Sequence, residues 1–337
     1  MFKKLRPYQN QLKQDVVKEI KNGHYKIVAQ LATGGGKTII FSDIVNNAIN
    51  KGKKVLVLVD RKELFKQCKK TLSDKATVYM VETLYRRLNS VDLHDFDMVI
   101  VDEAHKRCFD KILKLLKPTT YVLGFTGTPH RDGKKDHLKE IYTTIVNGVE
   151  IDYLIENNYL ARPHYYSTGV DLTGIKQTAG DYDRKGVAKM YQEKKVYKGV
   201  IDNYEKICNN EKTIIFCSTL ESSKELVEAF VSKGYNAKHL DAKSKDREQI
   251  LTWFAETENA ILSNVGILNT GFDEPTIKNV ILYRVTRSLP LYLQMVGRGS
   301  RTTATKNEFR ILDFGNNITR FGFWHVSRTW TLDIPKP

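Results

Sequence analysis

The 337-residue sequence predicts an α/β fold made of two parallel sheets, each covered by helices. Two observations carry that prediction. Short runs of apolar residues alternate with helical patterns through both halves of the chain, the order that parallel strands joined by crossover helices require. One of these runs, residues 27–31 (Ile-Val-Ala-Gln-Leu), is followed by a glycine turn, Thr33-Gly34-Gly35-Gly36-Lys37-Thr38, that leads into a helical pattern.

A strand, a glycine turn and a helix in that order form a phosphate-binding loop, because glycines let backbone N–H groups wrap an anion lying on the helix N-terminus. The backbone from Thr33 through Gly34, Gly35 and Gly36 is expected to cradle a nucleotide. Lys37 then reaches the β- and γ-phosphates, and the Thr38 hydroxyl holds Mg²⁺. Leu31 stands where the general pattern has its first glycine.

Composition bounds the rest. With 41% hydrophobic and 28% charged residues the chain is expected to be globular, with room for about two domains. The net charge of +15 points to a polyanionic partner. Residues 1–150 hold 28 Lys/Arg against 17 Asp/Glu, or +11, and residues 151–337 hold 26 against 22, or +4, so the anion-binding bias leans to the first half. The four cysteines have no paired spacing that suggests zinc or a disulfide framework. No signal-peptide core is visible and no apolar run approaches the ~18 residues of a membrane helix. A cytoplasmic protein with no membrane partner is expected.

Along the first half, Leu5-Arg6-Pro7-Tyr8-Gln9 opens a helical pattern, with Pro7 suited to a first-turn position. Arg6 and Gln9 are placed beside the nucleotide, where the Gln9 amide matches the donor and acceptor edge of adenine. Residues 55–59 read as a buried strand, and Arg61 at its carboxyl end is a phosphate contact for nucleic acid. Residues 78–84 read as a strand running into a helix start, with Thr83 as a second such contact. Residues 98–101 form another apolar run, and Asp102-Glu103-Ala104-His105 sits at its end. Two adjacent carboxylates gain complementary roles beside Lys37 and Mg²⁺: Asp102 holds the metal, and Glu103 orients and deprotonates a water. Residues 121–125 read as a strand ending in Thr126-Gly127-Thr128-Pro129, a small hydroxyl loop suited to reporting nucleotide state. A polar loop and helical patterns over residues 138–158 lead to the domain boundary.

The second half repeats the alternation, with strands at 214–217, 260–265, 280–283 and 310–314 and helices at 220–233 and 245–255. It has no second glycine-lysine-threonine loop. Its contribution is Gln294-Met-Val-Gly-Arg298-Gly-Ser-Arg301: if helical, Gln294, Arg298 and Arg301 lie on one face at i, i+4 and i+7, facing a γ-phosphate. An arginine so placed contributes on the order of 10³ to 10⁵ in rate. The glycines fit a backbone that packs closely at a domain interface.

Together these residues resemble the superfamily 2 helicases of DEAH-box type, over nearly the whole chain. Residues 5–9 look like that group's adenine-reading motif, 31–38 its motif I, Arg61 its motif Ia and 102–105 its motif II. Residues 126–129 look like motif III, 214–218 motif IV, 264–275 motif V and 294–301 motif VI. The resemblance implies two RecA-like lobes of P-loop NTPase type, here residues 1–155 and 156–320, followed by a tail at 321–337. It implies ATP and Mg²⁺ as cofactors, with Gly271, Asp273 and Gln294 near the nucleotide and Arg298 and Arg301 completing the site. Ser218 and Thr270 join Arg61 and Thr83 on nucleic acid, with DNA preferred over RNA, and His105, Thr126 and Thr128 couple the two sites. More narrowly, Val59-Asp-Arg-Lys-Glu-Leu, Ala179-Gly-Asp-Tyr182 and Leu312-Asp-Phe314 followed by Asn317 are similar to the bacterial repair helicase RadD, near the XPB-like branch. Three departures stand out: Ser300 replaces a common glycine, Asp60 replaces a histidine or proline that often precedes Arg61, and the cysteine-bearing C-terminal region of RadD is not matched.

The resemblance leaves open a helicase, a translocase or annealing motor that never separates strands, and the motor of a nuclease complex. A clamp with a dead ATPase is disfavoured by the intact Lys37, Asp102, Glu103, Arg298 and Arg301. If the basic first half tracks a nucleic-acid backbone, binding is sequence-independent and log affinity falls with log salt at about −0.7 to −0.9 per phosphate contacted. Fluorescence anisotropy across a salt series measures this, and a flat response would count against backbone tracking.

Overall fold

The computed structural model describes residues 4–131, 137–167, 177–178, 181–183, 186–187, 189–190, 196–268 and 272–332. Two compact units divide the chain, Met1–Ile151 with Ser327–Pro337, and Asp152–Val326. The segment expected to be one tail from residue 321 is therefore shared: residues up to Val326 stay with the second unit and those from Ser327 belong to the first.

The first unit is built on β1 (Lys26–Gln30), β2 (Val55–Val59), β3 (Thr77–Met80), β4 (Met98–Asp102), β5 (Tyr121–Thr126) and β6 (Thr144–Asn147), in the spatial order β3-β2-β4-β5-β1-β6. Every pairing is parallel. β2 and β4 are buried along their whole length, as expected of strands covered by helices on both faces. The helix Pro7–Lys21 starts with proline in its first turn and buries Tyr8, Gln9, Leu12 and Val16. The helix Lys37–Asn50 follows the glycine turn and buries Ile40, Phe41, Ile44 and Val45.

The second unit contains β7 (Arg162–Ser167), a short antiparallel pair formed by β8 (Gln177–Thr178) and β9 (Asp181–Tyr182), and then β10 (Thr213–Cys217), β11 (Ala237–Leu240), β12 (Ile261–Asn264), β13 (Asn279–Tyr283) and β14 (Glu308–Asp313). Its main sheet has the order β11-β12-β10-β13-β14-β7, again parallel throughout. Among the described residues no helix is long and apolar enough to cross a membrane.

In the two main sheets, three strands lie where the sequence pattern did not place them. β6 falls inside the stretch read as helical over 138–158, which holds a short 3-10 turn at Leu138–Glu140, then β6, then the helix Ile151–Glu156. β7 and β11 carried no strand reading. All three are sheet edges with at most one buried residue each, so they lack the continuous apolar run that marks a central strand.

The returning segment is anchored by Trp330, which is 8% exposed. Its indole Nε1 donates to Glu150 Oε1 at 2.8 Å, and that oxygen also accepts from Gln30 Nε2 at 2.9 Å. Its carbonyl accepts from Asn147 Nδ2 at 3.2 Å, and Leu332 packs against the apolar core of the first unit. Gln30 is the last residue of β1, so this segment braces the strand that carries the glycine turn. Trp330→Ala is expected to destabilise the first unit by about 3 kcal/mol. A urea melt followed by circular dichroism reads the loss, and an unchanged midpoint would show the segment adds nothing.

Candidate active site

β4, β5 and β1 are neighbours, and their register sets Gln30 level with Thr126 and Asp102 level with Phe125. The carboxyl ends of three adjacent strands thus present the glycine turn, the acidic pair and the threonine loop at one edge, the side on which open parallel sheets bind ligands.

The glycine turn is held from below and from the side. Leu31, fully buried, fills the space under Gly35, where an added Cβ would lie 2.7 Å from Leu31 Cγ; this accounts for a leucine at the start of the loop. Gly36 precedes the helix Lys37–Asn50 in the left-handed region, at φ +86°. The Gly35 carbonyl accepts from Gln9 Nε2 and from the Tyr8 hydroxyl, both at 2.9 Å, and Gln9 Oε1 accepts from the Arg6 N–H at 2.9 Å. Gln9 is buried and both ends of its amide are engaged within the chain, so in this structure it braces the loop where the sequence reading has it presenting that edge to adenine. Thr33, Lys37 and Thr38 remain partly open. Gly127 is close by: a Cβ there would lie 2.9 Å from Thr33 Oγ1 and 3.4 Å from Lys37 Nζ.

Asp102 is buried, and its Oδ1 accepts from the Glu103 N–H at 3.0 Å. Burial, reinforced by the charge of Glu103, pushes its carboxyl well above the ordinary carboxylate range, while Lys37 pulls it back. A divalent cation fits this set, because Lys37 alone leaves the acidic pair under-compensated; Thr38 and Asp102 are the residues that would hold it. Glu103, directly after the last residue of β4, has φ +54°, a conformation that side chains rarely adopt.

His105 joins this pair to the threonine loop. Its Nδ1 lies 2.8 Å from Thr126 Oγ1 and 3.4 Å from Glu103 Oε2. The Thr126 hydroxyl donates to the Thr128 carbonyl at 3.1 Å and accepts from the Thr128 N–H at 3.1 Å, so the ring donates from Nδ1. Burial pushes the imidazole down to about 4, which keeps it neutral near pH 7. Arg131, read from sequence as part of a polar loop, is 5% exposed. Its fork donates to both Asp110 oxygens at 2.8 Å and its Nε to the His105 carbonyl at 2.9 Å. Nothing in the local sequence marks it, because Asp110 lies 21 residues away and only the fold brings them together.

Arg61 stands at the N-cap position of the helix Lys62–Thr71, just after β2, and Thr83 is half-buried in the first turn of the helix Val81–Arg86. In the second unit Ser218 is buried just after β10. Thr270 and Gly271 lie outside the described residues. The expected helical face of Gln294, Arg298 and Arg301 is not formed: the helix Leu289–Val296 ends before both arginines. Gly299 packs so closely on Phe309 and Val280 that a Cβ would stand 2.4 and 2.7 Å away, and the Ser300 hydroxyl takes the Gly297 carbonyl at 2.9 Å. The Gly299 approach is thus to its own unit's core. Buried Lys306 donates to the carbonyls of Gly299, Arg301 and Pro275 at 2.6, 2.8 and 3.0 Å, fixing the turn. Arg298 donates to the Phe272 carbonyl and to that of Gln294, and Arg301 Nε donates to Asp273 Oδ1 at 2.8 Å.

Comparison with known proteins agrees with the two parallel six-stranded sheets. Residues 2–77 and 69–131 match the family described as the res subunit of type III restriction enzymes, and residues 196–303 match the helicase conserved C-terminal domain. The Saccharomyces cerevisiae protein named ATP-dependent helicase IRC3 is 30% identical, over 92% of this chain and 51% of its own length. A 51.5 kDa protein of a Lactococcus phage is 31% identical, over 89% of this chain and 68% of its own. Among solved structures, a fragment of an HsdR subunit of a type I restriction enzyme from Vibrio vulnificus has a TM-score of 0.75 at 24% identity, over 94% of this chain and 65% of that one. The chain thus spans about half the length of the yeast relative.

Gly36→Ala tests the turn. A Cβ there would stand 2.5 Å from Gln9 Nε2, on a backbone that costs a non-glycine residue about 1 to 2 kcal/mol. ATP affinity, read with a fluorescent analogue, is expected to fall by about tenfold or more. Normal affinity would remove the turn from the site.

Proposed function

As the chain belongs to the superfamily 2 helicases, an ATP-hydrolysing family, we propose that it is a nucleic-acid motor that converts ATP hydrolysis into movement along DNA. The observation that carries this reading is the run of contacts at the end of β4: Glu103 Oε2 lies 3.4 Å from His105 Nδ1, that nitrogen donates to the Thr126 hydroxyl, and the hydroxyl donates in turn to the Thr128 carbonyl. It connects the carboxylate placed to act on water with a loop whose backbone can report what the site holds.

In this reading Lys37 and the turn amides hold the β- and γ-phosphates, and Glu103 orients a water and takes its proton. Thr38 and Asp102 would hold Mg²⁺, which would supply neutralisation of the phosphate charge when bound. Neutral His105 keeps Glu103 aligned without competing for its proton. The role of Arg298 and Arg301 in the transition state rests on the sequence resemblance; in their own unit Lys306 clamps their turn, and Asp273 and the Gln294 carbonyl accept from them. Arg61, Thr83, Ser218 and Thr270 track the nucleic acid. Preference for DNA over RNA rests on the sequence resemblance and the basic first half, and the RadD-like likeness on the sequence motifs alone.

ATP turnover against single-stranded, double-stranded, forked and RNA cofactors tests the reading, and strand displacement on forked and blunt substrates separates unwinding from translocation. Glu103→Gln keeps size and hydrogen bonding but removes the base, so hydrolysis nearly stops while ATP still binds. In a motor, ATP then shifts the nucleic-acid affinity of this variant, typically by about 5- to 150-fold, and nucleic acid shifts its ATP affinity by the same factor. Equal affinities with and without ATP would sink the motor reading.

A further inference from the structure

We infer that Asp60 is a positioning residue that couples the nucleic-acid side of the first unit to its ATP side, through an ion pair with Lys106. The inference deepens the proposed function and rests on it. Asp60 directly precedes Arg61, and Lys106 directly follows the stretch from Asp102 to His105. Lys106 Nζ lies 2.5 Å from Asp60 Oδ2, and Arg61 Nε lies 3.7 Å from the same oxygen. The side chain of Asp60 is only 14% exposed, and its other oxygen, Oδ1, is buried and accepts no hydrogen bond. Two cations therefore share one oxygen of one carboxylate.

The Lys106 end of this pair reaches the strained residue at the catalytic turn. The Lys106 N–H donates to the Glu103 carbonyl at 2.9 Å, closing the turn that holds Glu103 at positive φ. A movement of the Lys106 side chain is thus transmitted to the backbone that aims the Glu103 carboxylate. At the other end, a backbone phosphate on Arg61 competes with Asp60 for the guanidinium. As Arg61 turns toward the phosphate, the Asp60 carboxylate is left to Lys106. In this partly buried setting the pair is screened less than a surface pair, so the change reaches the turn. Linkage makes the effect reciprocal: a turn set by bound nucleotide alters how firmly Asp60 holds Arg61.

The test compares wild type, Asp60→Asn, Lys106→Met and the double variant as full chains, with a mixed-sequence blunt DNA duplex as probe. Turnover without DNA is expected to stay within about threefold of wild type, because the turn at Glu103 is closed by the Lys106 backbone N–H, which neither substitution removes. Duplex affinity at fixed salt is expected to stay equal or rise in Asp60→Asn, since a negative charge next to the phosphate contact is gone. Stimulation of turnover by saturating duplex is expected to fall at least about fivefold in each single variant and no further in the double, with partial rescue in Asp60→Glu.

The opposite movement of affinity and stimulation separates coupling from a packing defect, which would weaken both; a joint loss overturns the inference. So does wild-type stimulation in either single variant, and should Asp60→Asn fail to fold, Lys106→Met breaks the same pair from the other side. Wild-type protein that no nucleic acid stimulates would overturn the motor reading itself and this inference with it. A stimulated wild type with equally stimulated variants overturns the inference alone.

Discussion

Everything at the candidate site depends on three parallel strands ending at one level. β4, β5 and β1 are buried strands in fixed register, so the backbone pairing that sets Asp102 beside Phe125 also sets Thr126 beside Gln30. A one-residue slip in any of them would turn buried side chains out and carry its terminal loop to a different height. The apolar side chains that make these strands buried are therefore what place the polar ones. Chemistry sits in the loops and precision sits in the sheet.

Crowding then does most of the local alignment. Gln9 holds the glycine turn through a backbone carbonyl, and Gly127 admits Lys37 and Thr33 because it has no side chain. Glu103 accepts an unfavourable backbone angle at the strand end, stabilised by the Lys106 N–H and by Ala104 N–H bonding to Phe125. Such strain persists only where the surroundings over-determine it. Buried, neutral His105 suits this setting, because a charged ring would compete for the carboxylate it helps to aim.

The second unit uses a different device. Its arginines do not lie on a helix; they follow one, in a turn fastened by a buried lysine that serves three carbonyls. Burial pushes the Lys306 ammonium down to about 7, and the three acceptors offset that cost by satisfying the charged form. The turn is fastened because the carbonyls of Gly299, Arg301 and Pro275 all accept from one lysine, with Arg301 Nε donating to Asp273.

What the sequence determined by itself was whatever is written in contiguous residues. Strands buried on both faces read as unbroken apolar runs, so β2, β4, β5, β10 and β13 were legible, and so were the glycine turn and the acidic pair at the ends of their strands. Edge strands β6, β7 and β11 were not, because a half-exposed strand needs no apolar run. The spacing of Gln294, Arg298 and Arg301 suggested a helical face, but the helix ends at Val296, and Gly299 beyond it packs against Phe309 and Val280. Only the tertiary structure could set Arg131 on Asp110, Lys106 on Asp60 and Trp330 on Glu150. These pairs are separated by 21, 46 and 180 residues, and a charged or indole side chain carries no local mark of the distant partner that the fold supplies.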